Sequence, residues 1–171
     1  MHQIAGVRTT PADEPVSDAF TKWYHQEHAR LVATMVLVTG DVDMSADAVA
    51  EAFARALERW SRVSVMAHPT GWTYRVALNV ARRSARRSAM EQRLLARTPN
   101  PPDVPAPAGE LWGSVGVLPR RQREVVVLRY IADFPEAEIA SVLGISRSTV
   151  SSTLADARRR LGSLLDEGED E

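Results

Sequence analysis

Apolar residues recur every three or four positions through most of this chain, the spacing that places them on one face of an α-helix. In the N-terminal half this pattern predicts a helix over residues 17–38, a second helix beginning at Ser45 and a third, long helix beginning near Thr70. Residues 61–71 contain a proline and a glycine and are predicted to be a loop. The three helices can bury their apolar faces against one another as a small bundle.

A different set of helices is predicted in the C-terminal half. The pattern indicates a short helix at residues 110–117, helices at 119–132 and 135–143, and a last helix from Arg147 to about Leu165. The sequence has no strand-like alternation of useful length and no internal repeat. The predicted fold class is therefore all-α.

A proline-rich segment separates the two halves. Residues 98–109 read TPNPPDVPAPAG and hold five of the ten prolines of the chain. Proline lacks the backbone N–H, so this density fits neither a helix nor a sheet interior and favours a semi-extended linker over a surface loop within one domain. The sequence thus predicts two small helical domains, residues 17–97 and 110–165. A disordered segment is predicted at 1–16 and an acidic tail at 166–171.

The stretch from Glu138 to Val150 is the most informative part of the chain, because it has the pattern of a helix-turn-helix. Ile139 and Leu143 share one helical face, Gly144 supplies a left-handed helix end, and Ser146 is a good N-cap for the next helix. An ordinary helical hairpin would not require all these features together. The second helix is predicted to lie in the DNA major groove, with a buried face made of Val150, Leu154, Ala157 and Leu161.

Charge is strongly segregated along the chain, although the formal net charge is only −1. Six arginines lie between Arg82 and Arg97 against a single acid, Glu91, and the last six residues carry five acids. Local basic density of this kind suits a polyanionic partner. The chain has no cysteine and no apolar run near the roughly 20 residues that span a bilayer, so we expect a cytoplasmic location without membrane insertion.

Residues 119–165 resemble region 4, the promoter-binding domain, of the extracytoplasmic-function (ECF) sigma factors of bacterial RNA polymerase. The N-terminal half separately resembles region 2 of the same family, in SADAVAEAF at residues 45–53 and in GWTYRVALNVA at residues 71–81. The resemblance implies that the N-terminal domain binds the melted −10 element and the polymerase clamp. It implies that the C-terminal domain binds the −35 element as duplex.

The basic helix that begins near Thr70 holds the first set of candidate DNA-binding residues. Its arginines can neutralise phosphates, and the resemblance adds an asparagine of the −10-binding helix. The set is Arg75, Asn79, Arg82, Arg83, Arg86 and Arg87. The alternatives are a solvated arginine face and, for Asn79, a satisfied surface residue. Residues 63–71 match the loop that captures a flipped −10 base in the family; Trp72 and Tyr74 could stack on bases, but Trp72 more often belongs to the core.

The recognition helix supplies the second set of candidates. Its leading turns would face base edges, and its later arginines would bind phosphates. The residues are Arg147, Ser148, Thr149, Ser151, Ser152, Arg158 and Arg159. Ser151 and Thr153 stand where the family usually carries a lysine and an arginine, so we expect weak −35 binding by this domain alone.

The resemblance also implies a polymerase-binding set, Asp47, Glu51 and Arg55, for which a solvated acidic face is the alternative. The expected partners are core RNA polymerase and promoter DNA, with an anti-sigma factor as a candidate third. Catalytic motifs are absent from the sequence, so we predict neither a catalytic residue, nor a cofactor, nor a metal. The second candidate function is a stand-alone helix-turn-helix regulator, since the C-terminal segment also resembles the LuxR-type DNA-binding domain. A metal-dependent hydrolase using His25 and His28 is a remote third.

Overall fold

The computed structural model describes residues 14–94 and 110–168. The predicted linker therefore lies outside the described residues, as do most of the predicted disordered N-terminal segment and the end of the acidic tail. Within the described residues the secondary structure is entirely helical, which confirms the all-α prediction. The helices are α1 (Glu14–Thr39), α2 (Val42–Glu58), α3 (Trp60–Val63), α4 (Pro69–Leu94), α5 (Glu110–Val117), α6 (Arg120–Tyr130), α7 (Glu136–Leu143) and α8 (Arg147–Gly168).

Helices α1, α2 and α4 form a bundle around Met35, Val49, Phe53 and Leu78, all almost fully buried. Helix α2 begins at Val42, three residues before the predicted start at Ser45, because Asp41 is its N-cap. The Asp41 carboxylate accepts a hydrogen bond of 2.8 Å from the Met44 amide. Ser45 is instead buried in the first turn, where its hydroxyl bonds the Asp41 carbonyl.

The loop predicted to begin at residue 61 starts later, because Trp60–Val63 forms the short helix α3. Trp60 and Val63 lie three apart, on one side of this turn, and both are buried beside Ala56. The Trp60 indole meets the rings of Phe20 and Trp23 at centroid distances of 5.2 and 5.0 Å. Aromatic packing onto α1 therefore extends helical structure into a segment whose sequence alone indicates a loop.

In the C-terminal unit, α6 lies at the centre. Glu124 and the four residues after it, through Leu128, are buried in succession, as expected for a helix that is covered on all sides. Helices α7 and α8 pack against it through Ile139, Val150 and Leu154. This packing holds the helix-turn-helix against α6.

The two helical units pack against each other through a continuous apolar core. Helix α1 contacts α6, and α4 contacts α7. The rings of Tyr74 on α4 and Phe134 before α7 meet edge to face, with centroids 6.1 Å apart. On the polar side of the same contact, the Arg30 guanidinium donates hydrogen bonds to the carbonyls of Ile131 and Ala132. We call this arrangement the closed state.

Candidate nucleic-acid interface

The turn between α7 and α8 has the predicted geometry. Gly144 lies in the left-handed region, with φ 67° and ψ 41°, and ends α7. The Ser146 hydroxyl accepts a hydrogen bond of 3.1 Å from the Thr149 amide and thus caps α8. Val150, Leu154 and Ala157 are buried and Leu161 is half-buried. The helix-turn-helix prediction is confirmed at the level of its backbone and core.

The leading turns of α8 expose a short polar surface made of Arg147, Ser148, Thr149, Ser151 and Ser152. Several of its hydroxyls already bond within the turn. The Ser146 hydroxyl lies 2.8 Å from that of Ser148 and 2.7 Å from that of Thr149. Ser152 donates to the carbonyl of Thr149. A base edge would have to compete with these local bonds for the same hydroxyls.

Glu136, in the first turn of α7, reaches across to this surface. Its carboxylate accepts a hydrogen bond from Ser151 and lies 3.8 Å from Nε of Arg147. Sequence patterns give no sign of this contact, because Glu136 is fifteen positions from Ser151 and looks like a helix-start acid. The carboxylate orients Arg147, and it also places a negative charge beside the proposed DNA surface.

Two arginines further along α8 have protein partners. Arg158 donates to the Tyr130 hydroxyl at 2.9 and 2.7 Å and lies over the tyrosine ring. Arg159 pairs with Asp156 one turn earlier. Both arginines remain exposed, so these partners restrain the side chains without burying them.

On α4 the candidate residues divide into two groups. Arg75, Asn79, Arg83 and Arg87 follow one another at four-residue intervals and are exposed, which makes them one stripe along the helix. The Asn79 carbonyl accepts a hydrogen bond from Nε of Arg83. Arg82 and Arg86 face the groove between α4 and α6 instead. We call the first group the α4 stripe.

Arg82 is engaged with the C-terminal unit. Its guanidinium lies 3.0 Å from the carboxylate of Glu124 on α6. Arg120 and Arg121 lie 3.1 and 3.2 Å from the same carboxylate, and Glu124 is only 1% exposed. Three guanidinium groups compensate this buried charge. The sequence conceals the role of Glu124, which looks like an exposed acid among arginines.

A second buried carboxylate, Glu138 of α7, lies against the start of α4. It is 3.1 Å from Nδ1 of His68. A Cβ built on Gly71 would lie only 2.1 Å from its Oε1, so glycine is required for this close approach. Burial raises the pKa of Glu138, and the charge of His68 opposes that rise. Residues 66–71, the end of the loop that resembles the base-capture loop of the family, thus lie against α7.

The two aromatic residues considered for base stacking differ in their exposure. Trp72 is half-buried near Trp60 and Val63. Tyr74 is fully buried and its hydroxyl has no hydrogen-bond partner among the described residues. Burial raises the pKa of Tyr74 strongly, the nearby Glu124 carboxylate raises it further, and Arg82 acts in the opposite direction. In the closed state Tyr74 has no surface on which a base could stack.

The proposed polymerase-binding residues lie on α2. Asp47 and Glu51 are exposed, and Arg55 is half-exposed. Glu51 and Arg55 form an ion pair of 2.8 Å. Asp47 takes no part in this pair. The face is solvated and polar.

The described residues contain no group of three or more His, Asp or Glu side chains that could hold a metal ion. The His28 ring packs 4.7 Å from the Tyr24 ring, a contact that suits a partly covered surface histidine. Among the described helices, none is both long and apolar enough to cross a membrane.

Comparison with known proteins identifies the family. The family profile Sigma-70, region 4 matches residues 109–161. The chain is 30% identical over 141 residues to the RNA polymerase sigma-E factor of Streptomyces coelicolor, covering 80% of this chain and 79% of that protein. It is 31% identical over 160 residues to the ECF RNA polymerase sigma factor SigL of Mycobacterium tuberculosis, covering 87% and 90% respectively.

Solved structures of similar fold span both helical units. The sigma factor RpoE of Bartonella quintana, in complex with the anti-sigma factor NepR, superposes with a TM-score of 0.74 at 20% identity, covering 86% of this chain and 97% of that one. CnrH in complex with the cytosolic domain of CnrY gives a TM-score of 0.61 at 24% identity, covering 91% and 95%. This chain belongs to the ECF family of RNA polymerase sigma factors, the subunits that direct the polymerase to promoters.

Proposed function

We propose that the α4 stripe and its neighbours Arg82 and Arg86 bind the −10 element of promoter DNA. The observation that supports this most directly is the four-residue spacing of Arg75, Asn79, Arg83 and Arg87, all exposed on one side of a 26-residue helix. Positive charge at this density neutralises phosphates, and this lowers the free-energy cost of holding separated DNA strands against the protein surface. Asn79, which lies among the arginines, is the member suited to a base edge.

For the −35 element we propose the exposed start of α8. Arg147, Ser148, Thr149, Ser151 and Ser152 reach base edges, while Arg158 and Arg159 bind phosphates further along the helix. Single hydroxyl contacts give little charge and limited reach. Useful occupancy of the −35 element therefore depends on tethering through the polymerase and through region 2.

The partners proposed for this chain are core RNA polymerase, promoter DNA and an anti-sigma factor, in the cytoplasm and without catalytic activity of its own. Residues 17–97 and 110–165 would act as two units joined by the proline-rich segment 98–109. Asp47, Glu51 and Arg55 on α2 would contact the polymerase. A stand-alone regulator is not favoured, because similarity to ECF sigma factors extends over both units.

The polymerase contact can be tested by co-purification of core RNA polymerase with Asp47→Asn. Because Asp47 is exposed and outside the Glu51–Arg55 pair, its loss should weaken polymerase binding without affecting folding. Asp18→Asn, an equivalent change of an exposed acid on α1, is the matched control. Equal polymerase binding by both variants would remove Asp47 from the interface.

A further inference from the structure

The contact between Glu136 of α7 and the start of α8 adds a side chain from outside the recognition helix to the surface proposed for the −35 element. We propose that Glu136 is a specificity-determining residue of this sigma factor. Its carboxylate accepts a hydrogen bond from the N4 amino group of a cytosine in the −35 element, and Arg147 donates to the guanine paired with that cytosine. This inference rests on the proposed role of α8 in −35 binding.

The position of Glu136 brings its carboxylate to the DNA-facing side of the helix-turn-helix. Glu136 is the first residue of α7, and its carboxylate accepts a hydrogen bond from Ser151 in the second turn of the recognition helix. The side chain of Glu136 is 31% exposed, and that of Arg147 is 75% exposed. The carboxylate is therefore fixed against the recognition helix and is still accessible to a base edge.

The side chains of Glu136 and Ser151 together present hydrogen-bond acceptors and no free donor. The single hydroxyl proton of Ser151 is directed to Oε2 of Glu136 and to the Arg147 carbonyl. Nε of Arg147 also approaches Oε2, at 3.8 Å, while Oε1 makes no hydrogen bond or ion pair with any of the described residues. Because an ionised carboxylate has no donor of its own, this part of the surface binds only a group that donates.

The base edges of the major groove decide which base fits such a surface. Guanine presents N7 and O6 there and thymine presents O4, all of them acceptors that a carboxylate repels. Adenine presents its N6 donor beside the N7 acceptor, whereas cytosine presents its N4 donor with no acceptor of its own. A carboxylate with two acceptor oxygens therefore favours cytosine over the other three bases.

Arg147 supplies the donors that the other base of the pair requires. The guanine opposite the cytosine exposes two acceptors, O6 and N7, to which arginine donates in a bidentate manner. Arg147 approaches Glu136 through Nε, and its two terminal nitrogens bond none of the described residues. The neighbouring carboxylate restrains a guanidinium that is otherwise free to rotate. One guanidinium and one carboxylate thus match the acceptors and the donor of a single G·C pair.

The experiment measures initiation by the holoenzyme on a promoter that it transcribes, with each −35 base pair replaced in turn by the other three. We expect wild type to prefer cytosine by about tenfold at one position, and Glu136→Ala to abolish this preference there alone. Glu136→Gln should shift the preference to adenine, because glutamine bonds adenine N6 and N7 together. Arg147→Ala should relax the same position. Asp133→Asn, which removes an exposed charge three residues before Glu136, is the control and should keep the wild-type preference.

A carboxylate that only repels DNA gives a different result. Glu136→Ala would then raise initiation from every promoter variant by the same factor and change no base preference, which would overturn the inference and leave the −35 role of α8 intact. A folding defect lowers initiation at all positions alike, and if Glu136→Ala does not initiate, the base preference of Glu136→Gln decides. If no −35 replacement changes initiation by wild type, the proposed −35 role of α8 fails and this inference fails with it.

Discussion

Ser151 on the recognition helix donates a hydrogen bond to the carboxylate of Glu136, so an acid from the preceding helix occupies the position from which the side chain at 151 would reach DNA. Because of this contact, the replacement of the family's usual lysine by Ser151 is more than the loss of one cation from the DNA-facing surface. A lysine restored at this position would meet Glu136 before it met a phosphate.

Ser151→Lys should therefore tighten binding of a −35 duplex only modestly in the wild-type background and more in Glu136→Gln, where the competing charge is gone. The salt dependence should steepen by about 0.9 in the log–log slope when the lysine binds one phosphate. Fluorescence anisotropy at several salt concentrations measures both quantities.

The control for that comparison is Ser163→Lys, which adds the same charge at an exposed position further along α8. An equal gain from Ser151→Lys in both backgrounds would show that Glu136 does not compete with DNA.

For the α4 stripe, the double substitution Arg83→Ala/Arg87→Ala should weaken binding of single-stranded −10 DNA and reduce the salt slope by about 1.4, since each phosphate contact on a single strand contributes about 0.7. Both side chains are exposed, so we expect no loss of folding. Titration of the oligonucleotide at several salt concentrations checks the slope, with Arg160→Ala on α8 as the control. An unchanged slope in the double variant would place the stripe outside the interface.

The turn of the helix-turn-helix gives a stability prediction with a matched pair of glycines. Gly144→Ala should destabilise the protein by about 1–2 kcal/mol, because φ is 67° while a Cβ there meets no atom within 4 Å. Gly162→Ala, inside α8 with equally open space around its Cβ, should stabilise by roughly 0.5–1 kcal/mol.

Chemical denaturation monitored by circular dichroism measures both changes. Destabilisation of similar size at the two positions would contradict this prediction, because only Gly144 has a left-handed backbone.

A pH prediction follows from Glu138. Burial raises the pKa of Glu138 above its ordinary value of 4.5, so folding favours the protonated carboxyl. The contribution of this protonated carboxyl to the free energy of unfolding is present at low pH and is lost as pH rises through the raised pKa. Glu138→Gln should remove this loss, so its stability relative to wild type should increase as pH rises above about 4.5 and then level off. Denaturation at a series of pH values gives the curve, with the exposed Glu91→Gln as control. A relative stability that falls with pH would mean that the His68 ion pair outweighs burial.

The helices and the helix-turn-helix follow from the sequence because their determinants are local. Residues such as Gly144, Ser146 and Val150 each act within one turn of their own position. The contacts of Glu124, Glu138 and Glu136 depend on the packing of distant helices, and an acid that will be buried looks like one that will be solvated. For the same reason the sequence presents Tyr74 as a candidate for stacking, although packing against Phe134 encloses its ring.

Initiation on genomic DNA measures directly whether this chain directs RNA polymerase to promoters. Core polymerase from the source organism would be incubated with its fragmented chromosome, with and without the purified chain, and the 5′ ends of the transcripts sequenced. We expect new 5′ ends that appear only with the chain and share two upstream sequence elements at a constant separation. Duplex binding without polymerase, together with no new 5′ ends, would contradict the account.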